Sequence, residues 1–88
     1  MPSGVAPAFP ETGWKVLFQD ALTAWLAGGP GLTDVTEVMA WIQSCKLLGP
    51  SATSRDGELT SAVIPRTSVL ARYLVVDHEF MVIVKNFT

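Results

Sequence analysis

Cysteine is nearly missing from this 88-residue chain. Cys45 stands alone, so no internal disulfide can brace the fold, and stability must come from packing. A lone thiol suits a reducing compartment, and a cytoplasmic location is the expectation. Histidine is equally scarce: His78 is the single one, too few for a multi-histidine metal centre. Charge is thin as well, at 16% of residues against about 25% in an ordinary soluble domain. The formal net charge of −2 opposes the basic footprint of a nucleic-acid binder. No apolar run reaches the roughly 18 residues that a membrane span requires. The first ten residues hold neither Lys nor Arg and do not form a secretory signal.

Apolar residues are what the chain has in plenty, at 49%. That content excludes a disordered chain. A chain this short forms one domain and hides only about 60–65% of its extended surface. Some apolar surface should therefore stay outside a monomer, and large exposed apolar patches mark interfaces.

Pro2, Pro7 and Pro10 stand among small residues at the start. Proline at that density opposes helix and central strand, so residues 1–11 are expected to form an extended arm, with a single α+β domain over 12–88. Trp14, Phe18, Ala21, Leu22 and Trp25 fall at helical spacing, which predicts a helix over 12–27, capped by Thr12. Gly28-Gly29-Pro30-Gly31 ends it. A second helix runs from Thr33 or Asp34 to Leu48, where Asp34 and Glu37 have capping-box spacing. Its stripe is Val35, Val38, Met39, Ile42 and Cys45, with Trp41 and Leu48 at the sides. Trp41 lies off the centre of that stripe, a placement that suits a boundary or interface residue.

Residues 49–58 are the most polar stretch and read as an exposed loop. Three strands follow, over 59–64, 68–76 and 80–87, with Pro65 ending the first and Asp77-His78-Glu79 turning between the other two. In the last strand strict alternation puts Phe80, Val82 and Val84 on one face and Met81, Ile83 and Phe87 on the other. A strand apolar on both faces needs cover on both. The expected fold is α+β: two N-terminal helices packed on one face of a three-stranded antiparallel sheet, in the order ααβββ.

Candidate chemistry is sparse. Asp77-His78-Glu79 clusters an imidazole with two carboxylates, but neighbours in a turn diverge where a metal needs converging ligands. Cys45 and His78 could form a nucleophile–base pair, yet Cys45 lies on an apolar stripe, where burial suppresses thiol reactivity. The Gly28–Gly31 run lacks the P-loop's Gly-Lys-Ser/Thr ending and follows a helix, so it reads as a helix–helix connection. Asn86-Phe87-Thr88 fits the glycosylation pattern. The run from Arg66 through Asp77-His78-Glu79-Phe80 resembles the serpin segment leading from the reactive loop to a central strand. It is short, lacks the proline which that pattern places after His78, and sits in a chain too small for the serpin sheet. No function is transferred from it.

These readings predict a small protein that is not an enzyme and uses no cofactor or metal. It would work by self-association or as a subunit of a larger complex, as viral and phage accessory or structural proteins do. Its partners would be itself or another protein, with no nucleic acid and no membrane span. The candidate interface residues are Trp41, Met81, Ile83 and Phe87. The alternative is a small enzyme inhibitor or regulator that contacts its partner through the 49–58 loop, with Arg55 and Asp56.

Overall fold

The structure, a computed structural model, describes residues 13–50 and 57–88. The arm of residues 1–11, the Thr12 cap, and Arg55 and Asp56 lie outside the described residues. Along the chain come β1 (Lys15–Leu17), α1 (Gln19–Leu26), α2 (Leu32–Leu48), β2 (Leu59–Val63) and β3 (Leu70–Val76). A single 3-10 turn (Asp77–Glu79) then leads into β4 (Met81–Phe87). The class is α+β as expected, but the sheet differs from the expected one. Among the described residues it has four strands in the order β1-β4-β3-β2, with β1 parallel to β4 and the other pairs antiparallel. Among the described residues the helices therefore follow a strand.

The extra strand comes from the front of the expected first helix. Trp14, Val16 and Phe18 also alternate at period two, and the chain adopts that pattern: Val16 is buried between exposed Lys15 and Leu17. Besides its parallel pairing with β4, two flanking hydrogen bonds hold it in place. Trp14 N–H donates to the Lys46 carbonyl at the end of α2, at 2.8 Å, and Lys15 N–H donates to the Phe80 carbonyl at 2.9 Å. The helix starts only at Gln19, where Leu22 N–H reaches the Phe18 carbonyl. Asp20 in its first turn sits favourably at the positive end of the helix dipole.

Helix α2 matches its expected span more closely, but not its expected cap. Gly31 is the N-cap and no side chain caps the helix, so Asp34 lies inside the first turn. Glu37 turns away from the helix start and accepts a 2.7 Å hydrogen bond from Arg66. Val38, Ile42 and Cys45 are the buried stripe. Gly49 stops the helix at φ 85, a backbone region that side chains rarely adopt.

The β2–β3 connection turns at Ile64-Pro65-Arg66-Thr67, where Thr67 N–H donates to the Ile64 carbonyl at 3.1 Å. The Thr67 hydroxyl closes the loop by accepting from Val69 N–H at 3.0 Å. Pairing of β3 with β4 contains one irregularity. Tyr73 opposes Val84, while Arg72 opposes Asn86, so Lys85 is passed over. One extra residue flips every later side chain to the other face. Phe87 therefore shares the helix-covered face with Val82 and Val84, and the alternation that grouped it with Met81 and Ile83 is corrected.

Both helices cover this one face of the sheet. The core joins Ala21, Val38, Ile42 and Cys45 to Val16, Ile64, Val69, Ala71, Tyr73, Val75, Val82, Val84 and Phe87. Phe87 lies between two indoles, 5.9 Å from Trp25 and 6.1 Å from Trp41, and Trp41 also meets Tyr73 at 5.6 Å.

Candidate functional site

The other face of the sheet is the candidate. Directly opposed residues on neighbouring strands point to the same side, so the pairing defines that face row by row. Leu17 opposes Ile83, Ile83 opposes Leu74, and Leu74 opposes Leu59. These four residues form an apolar row across all four strands. Toward the β3–β4 turn lies a second row, Lys15, Met81 and Val76. On the opposite side come Asn86, Arg72 and Ser61, and then Leu70 beside Val63.

Among the described residues no element lies over this face. Leu17 is 47% exposed, Leu59 49% and Val63 62%, although all three are large hydrophobics. Met81, Ile83, Leu74, Val76 and Leu70 are half-buried. At the β1 end of the apolar row, Leu17, Ile83 and Asp20 border a concavity of about 430 Å³. The rows on either side of it carry Lys15 and Arg72. Of the acids, Glu58 directly precedes Leu59 at the β2 end of the row, Asp20 lies where α1 begins beyond its β1 end, and Glu79 lies in the turn before β4.

The four expected interface residues part company here. Met81 and Ile83 lie on the open face. Phe87 is 5% exposed and inside the core. Trp41 is half-buried and packs its ring on Phe87 and Tyr73. Sequence reasoning missed Leu17, Leu59 and Leu74, which complete the row. The signal for Leu17 was the period-two run from Trp14 to Phe18, which lay hidden under an equally good helical spacing.

The other candidate groups are dispersed. Cys45 is buried on α2, and burial alone pushes its thiol up to about 11. His78 is exposed in the β3–β4 turn, with Nε2 3.9 Å from Glu79 Oε2. Glu37 is held below the usual carboxylate range by the Arg66 hydrogen bond, and Arg66 is raised in return. Among the described residues no cluster of His, Cys, Asp and Glu could hold a metal ion. No described helix is long and apolar enough to cross a membrane. The Gly28–Gly31 run joins α1 to α2, as expected. Comparison with protein-family models, with curated proteins and with solved structures finds no match.

Proposed function

We propose that this protein acts by association, without chemistry of its own, and that the open face of its sheet is the contact surface. It works either by self-association or as a subunit of a larger complex. The observation that carries the reading is the unbroken row Leu17–Ile83–Leu74–Leu59, which none of the described elements covers. Antiparallel sheets commonly leave one face in water, but that face then alternates to polar residues. Here apolar residues occupy positions where solvent would favour Thr, Lys or Glu, and a contiguous apolar patch of this kind marks a contact surface.

The test uses an environment-sensitive dye, anilinonaphthalene sulfonate, together with solution mass. Dilute protein should bind the dye at the open face, and Ile83→Asp and Leu59→Asp should each remove most of that signal while leaving the helical circular dichroism intact. Dye binding and solution mass that both variants leave unchanged would sink the reading.

A further inference from the structure

We infer that the open face is covered by a second copy of this chain, stacked face to face about a two-fold axis that runs along the Leu17–Ile83–Leu74–Leu59 row. This rests on the reading of the open face as a contact surface and adds its occupant. Three observations carry it.

The first is the row itself, which crosses every strand. An axis along it leaves each row residue opposite its own counterpart, so leucines and isoleucine meet leucines and isoleucine across the roughly 10 Å that separates stacked sheets.

The second is charge. Such an axis reverses strand direction, so what lies above the row in one copy faces what lies below it in the other. Arg72 lies two residues below Leu74 along β3 and comes opposite the partner's Val76, with the turn that carries Glu79 just beyond. Lys15 lies two residues above Leu17, and the start of α1 with Asp20 comes to that side in the partner. Each side of the row thus carries one cation and one acid, and the axis brings each cation to the side of a partner's acid, so that each pairing occurs twice. The opposite choice, an axis along the strands, would bring each Arg72 to the level of the partner's Arg72.

The third is area. Strands of three, seven, seven and five residues, at about 3.3 Å per residue and about 4.8 Å apart, give a footprint of about 350 Å². Two such footprints come to about 700 Å² before side-chain relief is added, the size of a weak, transient interface. The dimer should accordingly be concentration-dependent.

Sedimentation equilibrium of the full chain across an about hundredfold concentration range tests this. The mass should rise from 9.5 kDa to twice that. Arg72→Glu and Glu79→Lys alter side chains exposed to solvent in the monomer, so the fold is retained. Each alone should weaken association about tenfold, and the two together should restore most of it. A double variant no tighter than the single ones would overturn the proposed axis. A chain that stays at 9.5 kDa throughout, while its dye binding is still lost in Ile83→Asp, would overturn self-pairing and leave the contact surface standing. Loss of neither mass change nor dye in the apolar variants would sink both.

Discussion

The indole of Trp14 lies against the α-carbon of Gly49, so close that a Cβ there would fall 2.6 Å from Nε1. Gly49 ends α2 with φ 85 and ψ −179, and Trp14 leads into β1. The same indole meets Phe80 edge-on at 5.2 Å, and its backbone N–H is bound to Lys46. One aromatic ring thus ties the end of the long helix to the short parallel strand and to the entry of β4.

Gly49→Ala should therefore be costly for its size. The backbone region alone is nearly closed to side chains, at about 1–3 kcal/mol, and the new methyl must also displace the indole. Trp14→Phe should behave differently. Trp14 Nε1 is buried without a hydrogen-bond partner among the described residues, so removing that N–H lifts a desolvation penalty of about 1–3 kcal/mol that offsets the lost area. Urea denaturation should show Gly49→Ala well below the parent and Trp14→Phe within about 1 kcal/mol of it.

The Lys85 bulge decides which face Phe87 occupies, and stability measurements can read that choice. Phe87→Ala should cost about 3–5 kcal/mol, because it empties the space between Trp25 and Trp41. Met81→Ala, on the open face, should cost the monomer far less. If dilute samples show equal losses, the register proposed across the bulge is wrong.

The Arg66–Glu37 pair predicts a specific acid response. The Arg66 hydrogen bond depresses the Glu37 carboxyl in the folded state, so its contribution is complete above the ordinary glutamate range. It is lost as pH falls through the lower folded value. Melting temperatures followed from about pH 6 to pH 3 should fall less steeply for Glu37→Gln than for the parent. Arg66 also holds φ 64, a conformation natural to glycine. Arg66→Gly should consequently be more stable than Arg66→Ala, since both lose the ion pair and only the first relieves the backbone.

Cys45 should resist alkylation in the native state. Its thiol is raised from the ordinary 9.0 to about 11 by burial, so the folded protein favours the protonated form. Stability from this group is complete below pH 9 and declines as pH rises through about 11. Iodoacetamide labelling near pH 8 should track unfolding, accelerating with urea; rapid labelling without denaturant would contradict the buried placement.

Helix α2 and strands β2 and β3 were readable because local signals agreed. Val38, Ile42 and Cys45 repeat at helical spacing, Gly49-Pro50 stops the helix, and Pro65 separates two β-rich runs. The residues around Trp14 were not, because two periods fit them equally. Helical spacing links Trp14, Phe18, Ala21 and Trp25, while period two links Trp14, Val16 and Phe18. The choice depends on hydrogen-bond partners at Lys46 and Phe80, which lie tens of residues away in sequence. Phe87 was misread for a similar reason, since nothing local to Lys85 announces that the opposing strand will pass it over.

The sequence by itself determined the class of the fold, its long helix, its hairpin strands and its surplus of apolar residues over what so short a chain can bury. Those properties follow from composition and from periods spanning a few residues. Only the tertiary structure decided where the surplus goes. Pairing β1 beside β4 extended the sheet to four strands and drew Leu17 into line with Ile83, Leu74 and Leu59. The bulge at Lys85 withdrew Phe87 into the core. Both outcomes depend on register between distant segments, which is set by the sum of contacts across the sheet and is not written in any one stretch of the chain.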